Sequence, residues 1–310
     1  MQVKLSKLVA ITLASLSAAI LATIAITSPS PQSARADEPL LKVGKAHPEE
    51  SYPAYDGKKP IFFLVLGSDS RSKQWSTIQH GHADVIQLVG LNPVKGRATI
   101  LGFPRDSWVN IPGRGNNKIN DAMAFGGPSG MVSQVESLTG IHIDYYAVSS
   151  FWHFRNLVHD VGGVDVRIPY DMNDHYSKAH FKKGRAHLGG RDALAFARNR
   201  HDPPGGDFGR SYNSGSLLIA LLADYQKDFA RSPARMLDWF GASLKNVTTD
   251  IPRDELMRLA FYAAAMSTKK VNNFVVPGST GMEGPESVVH LSPSAKSMYN
   301  DLKQDGYIGK

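Results

Sequence analysis

The chain is 310 residues long with 42% apolar and 20% charged residues, a globular balance that admits one large domain or two small ones. It contains no cysteine, which excludes a disulfide framework, a thiol nucleophile and a thiolate metal site. A formal charge of +7 favours anionic partners such as phosphates or anionic lipid, while the lysines are scattered and form no stripe of the kind that nucleic acid binding uses.

Lys4 and Lys7 precede an uncharged run from Leu8 to Ile26. That run has about the 20 residues needed to cross a hydrocarbon core, and the lysines place the start of the chain on the cytoplasmic side. Ser28-Pro29-Ser30-Pro31 follows, then Ala34-Arg35-Ala36, a small-x-small pattern suited to signal peptidase. Residues 1–36 therefore read as a signal peptide or a retained membrane anchor, and either one exports the remainder. Residues 37–58, rich in Pro, Ser, Lys and Glu without periodicity, read as a linker. Residues 59–310 read as one globular domain without internal repeats.

That domain opens with three short apolar runs, Ile61–Leu66, Val85–Leu91 and Ala98–Phe103, each bounded by Gly, Pro, Asn or Asp and predicted as strands. Asn92-Pro93-Val94-Lys95-Gly96 supplies the turn between the second and third. Pro128 starts a helix with Met131, Val132, Val135 and Leu138 on one face, and Gly140 stops it. Ile143–Val148 reads as a strand, Phe151–Val161 as a helix ended by Gly162-Gly163, and Val164–Ile168 as a strand. Leu217, Leu218, Leu221, Leu222 and Tyr225 mark a long helix, and Glu255–Met266 another. Val271–Val276 is a late strand, and Ser292-Pro293 caps a last helix running to about Gln304. Strands and helices alternate without strict βαβ regularity, so the expected fold is α/β, a mixed central sheet between helical layers in a three-layer αβα arrangement.

If the first three strands run up, down and up, the loop Gly67–Arg71, the entry at Asp84 and the exit at Pro104-Arg105-Asp106 share one end of the sheet. Asp69 and Asp84 can then hold Mg²⁺, with waters and phosphate oxygens completing its shell, and Arg105 can take a phosphate bidentately. Taken singly, Asp69 and Asp106 fit turn-formers and Arg105 a surface ion pair; their convergence favours the binding reading. A second cluster spans Arg198–Arg210. Arg198 and Arg200 share a face only in an extended segment, so the helix over Ala193–Ala197 should end near Arg198. Two like charges held on one face repel unless an anion lies between them. Gly67-Ser68-Asp69 does not fit a nucleophile elbow, no dinucleotide fingerprint or P-loop occurs, and no histidine spacing marks a zinc site.

At this point the ordered motifs resemble the LytR–CpsA–Psr family of cell-wall phosphotransferases. The matching pieces are Gly67-Ser68-Asp69-Ser70-Arg71, Ala83-Asp84-Val85-Ile86 and the run Phe103–Gly113. They continue through Lys118-Ile119-Asn120, Leu188-Gly189-Gly190-Arg191-Asp192, Ala197-Arg198-Asn199-Arg200 and Gly206-Asp207-Phe208-Gly209-Arg210. The resemblance covers residues 60 to 222. It implies a protein outside the cytoplasmic membrane that binds polyprenyl pyrophosphate in an apolar tunnel between sheet and helices. Such a protein transfers the pyrophosphate-linked glycopolymer onto peptidoglycan. By position, Asp69 and Asp84 become the magnesium carboxylates. Arg105, Arg198, Arg200 and Arg210 hold the pyrophosphate, helped by Arg71 and Lys118. Asp106 or Asp207 accepts the attacking hydroxyl's proton, and no sequence feature picks between them.

Two departures stand out. The family often carries Arg two places ahead of the second aspartate, where this chain has His82, and Arg-Gln after Arg210, where it has Asn213 and Ser214. Both remove donors near the expected phosphate. A pyrophosphatase releasing lipid monophosphate, and a polyprenyl-phosphate-binding envelope regulator without turnover, remain alternative readings of the same motifs.

Overall fold

In the computed structural model, which describes residues 57–202 and 205–309, the three opening runs form the expected meander. Strands β1 (Ile61–Ser68), β2 (Ala83–Asn92) and β3 (Arg97–Gly102) pair antiparallel, with Ile61 opposite Leu91 and Leu91 opposite Ala98. β6 (Tyr145–Ser150) adds parallel to β1, β12 (Val271–Val275) parallel to β3, and the short β11 (Thr248–Thr249) antiparallel to β6. The result is a six-stranded mixed sheet in the order β11-β6-β1-β2-β3-β12.

The two faces of this sheet are filled differently. Leu64, Leu66, Ile86, Leu88 and Leu101 point into a solid core against α2 (Asp121–Thr139) and α8 (Ala295–Asp305). The alternate residues Phe63, Val65, Val85 and Val89 are apolar yet only half-buried. They face α3 (Phe151–Asp160), α5 (Asp207–Arg231), α6 (Arg235–Asn246) and α7 (Arg253–Ala265) across cavities described below. Because side chains alternate along a strand, one face is packed and the other lines a hollow.

Local chemistry explains most element boundaries. The helix expected from Pro128 is present, but an additional turn from Asp121 precedes it, joined through Gly127 at φ 65°. Proline cannot donate to the turn before it, so the chain kinks there, and glycine supplies the positive φ. Gly140 ends the helix in the left-handed conformation, donating its N–H to Glu136 O at 2.7 Å.

The sequence patterns did not reveal α6, the four-residue α1 (Trp75–Ile78), or a set of small ribbons. The ribbons are β4 (Trp108–Ile111) with β5 (Gly115–Lys118), β8 (Met172–Asp174) with β9 (Ala179–Phe181), and β13 (Gly278–Glu283) with β14 (Glu286–Leu291). The expected strand Val164–Ile168 forms as β7, but it pairs with β10 (Gly184–Leu188) rather than with the main sheet. The apolar run Leu8–Ile26 and the linker lie outside the described residues, apart from residues 57 and 58. Among the described residues no helix is long and apolar enough to cross a membrane.

α4 (Gly190–Arg198) starts where its first residue meets α3: a Cβ on Gly190 would overlap the Arg155 carbonyl oxygen. That neighbour is backbone and cannot rotate away. Gly190→Ala is therefore expected to destabilise the fold by about 1–3 kcal/mol in urea denaturation. Wild-type stability in that variant would show that α3 and α4 are not held at this contact.

Candidate active site

The antiparallel meander delivers the exit of β1, the entry of β2 and the exit of β3 to one sheet end, and the acids and arginines meet there. Asp84 is only 7% exposed. Its Oδ1 accepts from Arg105 Nη1, and its Oδ2 lies 3.7 Å from Arg198 Nε. Arg105 Nε donates to Asp106 Oδ1 at 3.3 Å. Burial works to lower the Arg105 pKa, but the charges of Asp84 and Asp106 outweigh it and raise the guanidinium above its ordinary value. The Arg198 guanidinium lies over the Phe151 ring, 4.4 Å from its centroid, a cation–π contact that helps hold it in place.

α5 contributes the other half of the cluster from its first turn. A Cβ on Gly102 would collide with Ser211 Oγ, so the helix start lies directly on β3, and Gln87 Nε2 donates to Ser211 O at 2.9 Å. This close approach sets Asp207 beside Asp106 and buries Arg210. Arg210 Nη2 stands 2.9 Å from Asp207 Oδ1, and this fully buried nitrogen makes no hydrogen bond within the described residues. An orphaned guanidinium donor in an acid–arginine cluster suits a phosphate oxygen.

Asp106 and Asp207 stand within hydrogen-bonding reach of each other, and because two ionised carboxylates there repel, a proton is held between them only below the pH at which Asp207 ionises. Burial first, then the hydrogen bond and charge of Asp106, push Asp207 up to about 6 against the opposing pull of Arg210. Burial also works to raise Asp106, but the hydrogen bond from Asp207 and the charges of Arg105 and Arg210 hold it below its ordinary value.

Other expected site residues are placed further out. Asp69 continues from β1 and is tied to the strand next door. Its N–H donates to His82 O and its Oδ1 accepts from His82 N, each at 3.0 Å. Its Oδ2 lies 3.6 Å from His82 Nδ1, so this carboxylate is turned to His82, two residues from Asp84, rather than onto the Asp84–Arg105 pair. Arg200 is exposed and acts electrostatically on Asp207; Lys118 acts on Asp106 while pairing with Glu286 at 3.1 Å. Arg71 is exposed on the loop after β1 and makes no ion pair within the described residues. Arg198 closes its helix and Asn199 is extended (φ −63°, ψ 121°), the break that the Arg198–Arg200 spacing required.

The two departures acquire structural explanations. His82 bridges Asp69 and Asp121, lying 3.2 Å from the latter, so an imidazole links two acids at the rim. Asn213 donates to the Tyr170 hydroxyl at 3.1 Å, and Ser214 donates to Arg210 O at 3.1 Å. Both are buried; the Asn213 bond ties α5 to Tyr170, the Ser214 bond stays within α5, and both donors are used there rather than in the cluster.

From this cluster an apolar hollow runs beneath the sheet. A cavity of about 180 Å³ is bounded by Arg198, Phe151, Phe154, Leu221, Val65 and Leu218. It adjoins a second, of about 420 Å³, which shares Val65 and Leu218 and continues to Met266 and Val271. β1 alone spans 8 residues, and the hollow follows it from the Arg198 end toward the level of Leu91 and Ala98. The helix faces expected over Phe151–Val161 and Leu217–Tyr225 do line it, and α6 and α7, through Trp239, Phe240 and Leu259, complete the far wall. Phe151 beneath Arg198 and the Asp106–Asp207 contact had no local signal. The apolar residues of α6 did, since Met236, Trp239 and Phe240 recur at helical spacing.

Guanidinium groups at the mouth of an apolar channel suit an anionic head on a long apolar tail, and the fold is an α/β protein built around that channel. The sequence profile of the LytR_cpsA_psr family matches residues 27–304, and the chain belongs to that family. It is 31% identical over 249 residues to a polyisoprenyl-teichoic acid–peptidoglycan teichoic acid transferase TagV of Bacillus subtilis, covering 78% of this chain. It is 35% identical over 200 residues to a TagU transferase of the same description from Bacillus cereus, covering 64% of this chain. In both cases the match spans 62% of the relative's own length. The crystal structure of B. subtilis TagV superposes with a TM-score of 0.70 at 30% identity, covering 81% of this chain and 99% of that one.

Proposed function

We propose that this chain is an extracytoplasmic, magnesium-dependent transferase that moves a glycopolymer from a polyprenyl pyrophosphate carrier onto peptidoglycan. The observation that carries this reading is the position of Arg198, which touches Asp84 in the charged cluster and also lines the apolar cavity. One side chain thus bounds both a head-group site and a tail site. The names of the TagV and TagU relatives, transferases of polyisoprenyl-linked teichoic acid to peptidoglycan, give the same chemistry. The uncharged run Leu8–Ile26 behind Lys4 and Lys7 supports export of the domain.

In this mechanism the acceptor sugar's hydroxyl oxygen attacks the phosphorus that bears the glycopolymer. The new P–O bond forms a phosphodiester, the P–O bond to the carrier breaks, and its electron pair leaves on polyprenyl monophosphate. The hydroxyl proton passes to the Asp106–Asp207 pair, with Asp207 as the acceptor because its pKa of about 6 leaves it ionised near neutrality yet basic enough to take the proton. Arg105, Arg198, Arg200 and Arg210 stabilise charge on the phosphate oxygens, with Lys118 and Arg71 at the rim. Hard carboxylate oxygens beside phosphate-binding arginines are the donor set a magnesium ion takes, and Asp84 would hold it, joined by Asp69 once that carboxylate turns from His82. Bound there, the ion would neutralise phosphate charge.

Arg198 separates the head-group role from a surface ion pair. Arg198→Lys keeps the charge but loses the planar fork and its contact with Phe151, so affinity for polyprenyl pyrophosphate should fall by about 1–3 kcal/mol in calorimetric titration. Wild-type affinity would return this arginine to the protein surface.

Incubation with Mg²⁺, a polyprenyl-pyrophosphoryl glycopolymer and a peptidoglycan oligomer tests the whole reading. Phosphodiester-linked product and polyprenyl monophosphate should appear in equal amounts, and chelation of the metal or Asp84→Ala should stop both. Monophosphate without linked product would make the chain a pyrophosphatase. Neither product would leave it a binding protein.

A further inference from the structure

Beyond the charged cluster stands a second feature that the transfer chemistry above does not use. Tyr176 is 80% exposed, the most exposed of the large apolar side chains among the described residues. It sits at the tip of the β8–β9 ribbon, and its ring lies 4.6 Å from that of His201 at an interplanar angle of 30°. An aromatic ring in water is ordinarily loose, but this one is anchored from below. The buried Asp174 accepts the Tyr176 N–H at 2.8 Å and lies 3.0 Å from His201 Nδ1, so one carboxylate oxygen holds both members of the pair. Burial works against ionisation of Asp174, but the hydrogen bonds from His201 and the Tyr176 N–H outweigh it and hold its pKa far below the ordinary range.

The ribbon is also tied to the segment that carries the phosphate-site arginines. Asn173 N donates to Asp202 Oδ2 at 2.7 Å, and Asn199 Nδ2 donates to the same oxygen at 3.1 Å. His201 follows Arg200 directly, and consecutive Cα atoms are about 3.8 Å apart. The platform therefore begins one residue from Arg200, whose charge acts on Asp207 in the cluster. Its rim is made of side chains that can exchange hydrogen bonds with hydroxyls: His180 Nδ1 contacts Asn173 Oδ1 at 2.7 Å, and His175 meets the His180 ring edge-on at 5.6 Å. A rigid aromatic face with a polar rim matches a pyranose, which presents a flat C–H face and a hydroxyl edge.

We propose that Tyr176 and His201 form a saccharide subsite that receives a pyranose ring next to the phosphate. The assignment rests on the transferase reading for the phosphate itself. The sugar has two possible sources, the first residue of the lipid-linked donor or the acceptor glycan, and both share this chemistry.

The test compares wild type with Tyr176→Ala and Tyr176→Phe in the full chain, using three probes. These are polyprenyl-pyrophosphoryl-N-acetylglucosamine, bare polyprenyl pyrophosphate, and a soluble β-1,4-linked N-acetylglucosamine oligomer followed by saturation-transfer NMR. For a donor subsite, Tyr176→Ala should weaken the glycosylated lipid about tenfold and leave the bare lipid unchanged, with Tyr176→Phe restoring affinity. For an acceptor subsite, both lipids should bind as in wild type while the oligomer's saturation transfer is lost in Tyr176→Ala and kept in Tyr176→Phe. Equal weakening of both lipids would show that Tyr176 acts only by bracing the Arg200 segment and would overturn the subsite. So would three unchanged probes. If wild type binds neither lipid, the phosphate reading fails, and the oligomer arm alone decides the platform.

Discussion

Replacing Asp207 by asparagine is expected to lower turnover by about 10²–10⁴-fold while leaving the protein folded. An amide can still donate to the ionised Asp106 and contact Arg210, so the hydrogen bond and packing survive and only the proton acceptor is lost. The pH profile carries the sharper signature. Asp207 is raised to about 6, so the shared proton is held below that pH and released above it. A base must be ionised to act, so wild-type kcat/KM should climb about tenfold per pH unit below 6 and level off above it, and the climb should vanish in Asp207→Asn. Asp106, held below its ordinary value by its neighbours, should not produce that rise. An unchanged rate and an unchanged rise in Asp207→Asn would move the base elsewhere.

How much of this site could be read from the chain depends on the range of each interaction. The meander was legible because three short β-branched runs and one Asn-Pro turn are local signals. From the meander alone, Asp84 and Arg105 had to meet, and they do. The break after Arg198 was legible because two arginines two residues apart share a face only in extended backbone. The Asp106–Asp207 pair was not. Its members are joined by the docking of α5 on Gly102, and a glycine in an apolar strand gives no sign of what will lie against it. Nor could the turn of Asp69 toward His82 be foreseen, since it depends on the irregular register between Gly67 and Ser68. The β8–β9 ribbon escaped notice because strands of three residues in a polar stretch have no periodicity to detect.

Apolar stripes posed a different problem. Leu217, Leu218, Leu221 and Leu222 announce a helix face, but a stripe reads the same over a solid core as over a channel. What separates the two cases is the half-burial of Phe63, Val65 and Val89 on the sheet opposite, a property of packing that no single segment contains. Leu218 and Val65 line both cavities, so Leu218 stands where the smaller cavity meets the larger one. Leu218→Trp should fill that junction. Because the new ring enters existing space, thermal stability should stay near wild type, whereas the same change in a packed core would strain it. A long polyprenyl chain would then lose the larger cavity. At about 0.8 kcal/mol per buried methylene, five lost methylenes amount to about 4 kcal/mol, about a thousandfold in Kd for a long-chain pyrophosphate. Geranyl pyrophosphate, short enough for the Arg198 end, should bind within about twofold of wild type because the arginines that hold its head are untouched. Equal losses for the long and short lipids would mean that the substitution disturbs the head-group site, and no loss for the long one would mean that its tail does not pass Leu218.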